Sequence, residues 1–255
     1  MALELVVVPC RTDNYAYIIH DPDSGQTAVV DVPETRPILD ALTARGWSLA
    51  DIWITHHHDD HISGVADLRA ATGAMVLGAA ADAHRLPDLD LALTEDSSFS
   101  IGAHAVQVLD VPGHTVGHIA FVIKDAALTF TGDSLMSAGC GRMFEGNAPQ
   151  YWQSLQKLAD LPPETLVCSG HEYTSSNLSF ALSLEPGNRA LILRSAMVAK
   201  LRAEAKPSVP VKLAEELATN PFLRAATPEM KAVLGMQSAT DTDVFAELRS
   251  RKDRF

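Results

Sequence analysis

Cysteine is scarce: the 255 residues hold three, Cys10, Cys140 and Cys168, an odd number at wide spacing. That count excludes a disulfide framework and suits reduced thiols in the cytoplasm. Positive charge is also in deficit, since 20 Lys and Arg face 32 Asp and Glu, for a net charge of -12. Nucleic acid and anionic lipid surfaces are therefore disfavoured partners, because both attract clustered cations. No apolar run is long enough to span a bilayer. The opening stretch carries Glu4 and the short run Leu5-Val6-Val7-Val8, which reads as a first β-strand and not as a leader or anchor. Repeats and low-complexity segments are absent too. What remains is a chain with 47% hydrophobic and 20% charged residues, long enough to bury one large core or one core with an appended domain.

Short β-rich runs dominate the first 170 residues, at 3–8, 15–20, 27–31, 51–55, 104–111, 118–124, 126–130 and 165–168. Helical spacing is found between them, at 37–44, 62–71 and 150–159. This mixed α/β alternation gives way after about residue 172 to helical stretches at 175–184, 188–205, 211–218 and 241–251, broken by Pro186-Gly187, Pro207 to Pro210 and Pro221. The expected organisation is a mixed α/β domain over 1–172 and a helical domain over 173–255.

The chemistry concentrates in Thr55-His56-His57-His58-Asp59-Asp60-His61, directly after the apolar run Ile52-Trp53-Ile54. A strand leaving a sheet edge is a usual place for a site in α/β proteins. In extended chain His56 and His58 point to one side and can reach one cation, while Asp60 and His61 open the next helix and can address a second. A solvated histidine loop is the bland alternative. Against it, three more metal-competent side chains follow strands across a glycine turn: Pro112-Gly113-His114, Thr131-Gly132-Asp133 and Ser169-Gly170-His171. His57 should face away by alternation, and His118 should support packing or the ligands from behind. Asp31 either orients the ligand loop through hydrogen bonds or caps a turn. His20, His84 and His104 have no partner motif.

The set His56-x-His58-x-Asp60-His61 with His114, Asp133 and His171 resembles the metallo-β-lactamase superfamily. That resemblance implies a four-layer αββα sandwich, here with a helical C-terminal domain. It also implies that His56, His58 and His114 hold one metal, Asp60, His61 and His171 a second, and Asp133 both. Within the superfamily the chain is similar to the glyoxalase II family, the hydroxyacylglutathione hydrolases. The likeness runs through Thr12-Asp13-Asn14-Tyr15, Phe130 to Asp133, Gly139-Cys140-Gly141, Gly170-His171-Glu172-Tyr173-Thr174, Glu185 to Asn188, Asn220-Pro221-Phe222 and Arg249-x-x-Lys252-Asp253.

This resemblance places the thiol carrier's carboxylate on Arg142, Tyr173, Arg249 and Lys252, with Phe144 where the family has Tyr. One hydroxyl is thereby lost, worth about 0.5–1.5 kcal/mol. Asp59 stands where an aromatic residue is frequent and reads as an outward, solvated side chain. Two divalent ions about 3.5–4 Å apart lower the pKa of a bridging water toward about 7, and Asp60 and Asp133 would hold and orient the hydroxide. Imidazole and carboxylate ligands suit zinc first, with iron or manganese as alternatives. The implied reaction is hydrolysis of S-lactoylglutathione to lactate and glutathione, in methylglyoxal detoxification, by a cytoplasmic monomer. Rival readings are an iron-dependent persulfide dioxygenase, a lactonase, a β-lactamase, or a protein that binds the conjugate without cleaving it.

Overall fold

The computed structural model describes residues 2–255, which form two compact units, 2–110 with 117–132 and 111–116 with 133–255. In the first unit a six-stranded sheet is built from β1 (Glu4–Cys10), β2 (Asn14–His20), β3 (Thr27–Val30), β4 (Asp51–Trp53), β5 (Met75–Ala79) and β6 (Leu91–Leu93), adjacent in sequence order. The first three strands run antiparallel and the rest are parallel, so helical crossovers must connect them. These are α1 (Thr35–Arg45) before β4, and α2 (Asp59–Ile62) with α3 (Val65–Thr72) before β5. An antiparallel meander follows: β7 (Ser98–Ile101), β8 (His104–Asp110), β9 (Ile119–Ile123) and β10 (Leu128–Gly132).

Side-chain alternation explains why both faces of the first sheet are apolar. Ile18, Val29, Ile52 and Val76 stand in register and share a core with Ile38 and Leu42 of α1 and Val65 and Leu68 of α3. Their neighbours Tyr17, Val30, Trp53 and Leu77 lie on the opposite face. There Tyr17 meets Phe130 at 5.7 Å, and Trp53 meets Phe99 and Phe121 at 5.2 and 5.4 Å, which joins the first sheet to the meander. Tyr17, Trp53, Phe121 and Phe130 are all fully buried at that interface.

The second unit contains the hairpin β11 (Leu135–Met136) and β12 (Gly139–Cys140), α4 (Ala148–Ala159), β13 (Leu166–Ser169), α5 (Thr174–Leu184), α6 (Arg189–Ala203), β14 (Val211–Lys212), α7 (Leu213–Thr219), α8 (Pro228–Leu234) and α9 (Asp241–Arg254). A capping box between Asn147 and Gln150 starts α4, and Thr227 and Thr240 cap α8 and α9. Arg194 and Glu216 are buried as an ion pair, and Asn220 beside them donates to the Met136 and Gly139 carbonyls. The hairpin is thus fastened to α6 and α7.

Two expectations need correction. Residues 211–218 open as strand, because Val211 pairs with Val167 and Lys212 with Leu166; the helix begins only at Leu213. Strands β5, β6 and β7 had not been anticipated, and neither had α8. No described helix is long and apolar enough to cross a membrane.

Candidate metal centre

In the first unit the chain leaves β4 at Trp53 and carries three histidines to the start of α2. His56 and His61 are fully buried, and their rings lie 4.2 Å apart. His56 Nε2 comes within 3.1 Å of His58 Nδ1, so two ring nitrogens converge on one spot as the alternation predicts. His56 Nδ1 contacts Thr55 Oγ1 at 3.0 Å, and His118 stacks on the His56 ring at 4.6 Å.

Asp31 orients this cluster. Its Oδ1 accepts the Thr55 amide at 2.9 Å, and its Oδ2 lies 2.8 Å from both Thr55 Oγ1 and His61 Nδ1. With the carboxylate accepting at Nδ1, the His61 proton resides there and Nε2 keeps its lone pair. Asp31, His56 and His61 bring donor atoms close enough to hold an ion themselves, but the three bonds already on Asp31 suit it to steering the ligands. Asp60, at the start of α2, receives the Asn14 side-chain amide at 3.0 Å and lies 3.8 Å from His61 Nε2. Asn14 had been noted only as part of a motif; its task here is to aim Asp60. His57 pairs with the buried Asp82 at 3.1 Å, and Asp59, with 82% of its side chain exposed, pairs with Arg11.

The second unit gathers His114, Asp133 and His171, all buried. Asp133 Oδ2 lies 3.5 Å from His114 Nε2 and 3.3 Å from His171 Nε2, a carboxylate oxygen flanked by two imidazole nitrogens. His114 Nδ1 sits 2.7 Å from the Arg142 carbonyl, which can only accept, so Nδ1 carries the proton and Nε2 keeps its lone pair. Left-handed backbone at Gly113 and Gly132 makes the turns before His114 and Asp133; Gly170 reaches His171 without it. Gly141 is required by space, since a Cβ there would lie 2.3 Å from the Asp133 carbonyl and 2.7 Å from His114 Nδ1. Nitrogen and oxygen donors, with far nitrogens tied to acceptors, make a donor set fit for divalent cations.

The sequence-predicted substrate residues divide into two kinds. Phe144 is exposed and meets the His114 ring edge-to-face at 5.4 Å; Tyr173 is exposed and stacks on His171 at 4.7 Å. The Arg142 side chain is 66% exposed, with its Nε 3.9 Å from Asp253. Lys252 donates to the Ser176 carbonyl and hydroxyl, and burial together with the nearby Arg249 charge pulls its ammonium down to about 8. Arg249 differs from these in being 4% exposed. Tyr151 had been read only as part of an amphipathic turn, yet its hydroxyl reaches the carbonyls of Asp133, Ser134 and Gly141. Nothing in the periodicity could have singled it out.

Comparison with known proteins assigns both parts of the chain. Residues 12–171 match the profile of the metallo-beta-lactamase superfamily, and residues 172–255 match that of the hydroxyacylglutathione hydrolase C-terminus. The hydroxyacylglutathione hydrolase of Fuscovulum blasticum is 61% identical over the full length of both chains. Among solved structures, ETHE1 from Myxococcus xanthus superimposes with a TM-score of 0.65 at 24% identity, covering 99% of this chain and 98% of its own. TTHA1623 in a di-iron-bound form gives a TM-score of 0.54 at 28% identity over 66% of this chain and 91% of its own. The expected metallo-β-lactamase fold with its helical C-terminal region is borne out, and the chain belongs to the hydroxyacylglutathione hydrolase family of the metallo-β-lactamase superfamily.

Proposed function

We propose that this protein hydrolyses the thioester of S-(2-hydroxyacyl)glutathione, with S-lactoylglutathione as the reference substrate, to a 2-hydroxy acid and glutathione. The observation that carries the reading is the placing of Asp133 Oδ2 between the Nε2 atoms of His114 and His171, in a chain 61% identical throughout to a hydroxyacylglutathione hydrolase. His56, His58 and His114 would hold one divalent cation, Asp60, His61 and His171 the other, with Asp133 shared. Zinc is the first choice, and iron or manganese are the alternatives that this ligand chemistry accepts.

Such cations, when bound, supply a water of lowered pKa and a Lewis acid for the carbonyl oxygen. Asp60 and Asp133 hold and orient the attacking water, and the fixed protons on His61 and His114 Nδ1 keep their Nε2 lone pairs inward. No dedicated general acid is needed, because a thiol of pKa about 8.5 leaves readily as thiolate. Arg142 and Lys252 attract the glutathione carboxylate, Phe144 and Tyr173 offer ring faces, and Arg249 adds positive charge from the buried side. Residues 1–172 thus serve catalysis and 173–255 substrate binding, a division supported by two family profiles that meet at 171/172.

Three buried free cysteines support a reducing, cytoplasmic setting, and the protein is taken to act as a monomer in methylglyoxal detoxification. The test is thiol release from S-lactoylglutathione by purified protein, before and after chelation and with metal restored. Chelator-sensitive release that returns with metal supports the proposal. A fully metallated protein that releases no thiol refutes it.

A further inference from the structure

In the first unit, Asp60 and His61 stand on α2, a helix of four residues with no side-chain cap. A single turn of helix fixes many dihedrals for little hydrogen bonding and does not persist by itself. Its place must be set by other parts of the chain. The turn between β1 and β2 supplies much of that support. Asn14 at one end of it donates to the Asp60 carbonyl as well as to the Asp60 carboxylate, each at 3.0 Å. The other end carries Arg11.

The Arg11 guanidinium closes on two further segments. Its Nη2 donates to the Asp59 carbonyl at 3.4 Å, to Asp59 Oδ2 at 3.1 Å and to Ser63 Oγ. Its Nε donates to the Pro33 carbonyl at 3.1 Å, and Ser63 Oγ donates to that same carbonyl at 3.0 Å. Asp59 and Ser63 are the two ends of the hydrogen bond that closes α2, Ser63 N to Asp59 O at 2.9 Å, so one side chain grips both ends of the helix. Pro33 lies two positions after Asp31, which steers His61. Arg11 thereby ties the segment that orients His61 to the helix that carries it.

The ion pair with Asp59 is the lesser part of this grip, because the two side chains are 33% and 82% exposed and solvent screens the charges. The carbonyl and hydroxyl contacts carry the rest, and a planar guanidinium fork is suited to meeting several acceptors at once. Arg11 does so from a left-handed backbone, φ 48°, a conformation that costs any residue other than glycine and persists where surrounding contacts hold it.

We infer that Arg11 is a positioning residue for one of the two cation positions, holding α2 so that Asp60 and His61 meet their ion. The inference rests on the proposed ligand roles of those two residues. It makes the two positions unequal. His56 is fixed at the end of β4, where its Nδ1 meets Thr55 Oγ1, and needs no help from Arg11.

The test titrates metal-free protein with cobalt(II), followed by visible absorption and by chelator competition, in wild type, Arg11→Met and Arg11→Lys. Met removes the guanidinium donors; Lys restores the charge and one donor group. Wild type should take up two equivalents. In Arg11→Met one equivalent should bind about tenfold more weakly, the lower end of the loss expected when an outer partner of a ligand is removed. The other equivalent should keep its wild-type affinity, and Arg11→Lys should fall between. A merely structural role would not single out one equivalent. Two wild-type affinities in folded Arg11→Met, or an equal loss at both positions, would overturn the inference. If Arg11→Met does not fold, Ser63→Ala opens the same clasp from the other side; a one-sided loss there supports the inference, and its absence overturns it. Wild type that takes up fewer than two equivalents would instead bring down the two-cation reading, and the inference with it.

Discussion

Replacing Asp31 with Asn isolates the steering of a metal ligand from its backbone setting. Asp31 has a left-handed φ of 58°, a conformation that Asn adopts with little strain, whereas Ala would add roughly 1–2 kcal/mol of backbone cost. The carboxylate serves Thr55 N, Thr55 Oγ1 and His61 Nδ1 at once, at 2.8–2.9 Å. An amide offers one acceptor oxygen and one donor nitrogen for the same site. If its NH2 replaces Oδ1 it opposes the Thr55 amide, donor against donor. If it replaces Oδ2 it opposes His61 Nδ1 and drives that proton to Nε2, the nitrogen needed for the cation. Either orientation loses a hydrogen bond to a charged group, worth about 1.5–3 kcal/mol. Removing an outer partner of a ligand weakens metal binding by about 10–100-fold, equivalent to roughly 1.4–2.8 kcal/mol. The two ranges agree. Chelator competition with the purified variant should therefore show affinity falling by that factor, with thiol release restored by excess metal. A folded Asp31→Asn protein that retains metal at wild-type affinity would refute the argument.

Gly141→Ala should cost about 1–3 kcal/mol, since its Cβ would collide with the Asp133 carbonyl and His114, and melting curves should fall by about 2–4 °C per kcal/mol. Phe144→Tyr should lower KM for S-lactoylglutathione by about 2- to 12-fold if the added hydroxyl meets the substrate, with kcat unchanged; steady-state kinetics decide it. Lys252 sets a pH dependence: its charge is present below about 8 and lost above, so KM should rise as pH climbs from 7 to 9.5, and Lys252→Met should flatten the profile. The sign for stability is opposite. A lysine whose folded pKa is depressed from 10.5 to about 8 leaves the unfolded chain holding more protons between those values, so native stability gains with pH across that window.

Much of the fold was legible because the first sheet is buried on both faces, and Val29-Val30 and Ile52-Trp53-Ile54 announce such strands as continuous apolar runs. The strands that escaped lack this signal. Met75–Ala79 carries a glycine and an alanine beside a 3-10 turn, and Ser98–Ile101 alternates serine with apolar residues over only four positions. Their conformation is set by partners, Ile52 and Trp53 for the first and Ala105 and Val106 for the second, which no local pattern reports.

The candidate metal site was readable for a different reason. Its chemistry is written in residue types, and imidazoles two apart on extended chain must converge, as His56 and His58 do at 3.1 Å. Arg249 marks where that kind of reading stops. A motif identifies a cation near the site; it does not say which acceptors have already claimed its N–H groups. Those acceptors are the carbonyls of Cys140 and Gly141, more than a hundred positions back in the chain, and main-chain carbonyls carry no sequence signature. The exposed Arg142 and the internally engaged Arg249 look alike as letters, and only the hydrogen-bond ledger separates them. Arg142→Met should raise KM for the carboxylate-bearing thioester and leave metal affinity at the wild-type value, because its side chain is 66% exposed and only its carbonyl meets His114. A folded Arg142→Met protein with wild-type KM would show that the exposed guanidinium does not meet the substrate carboxylate.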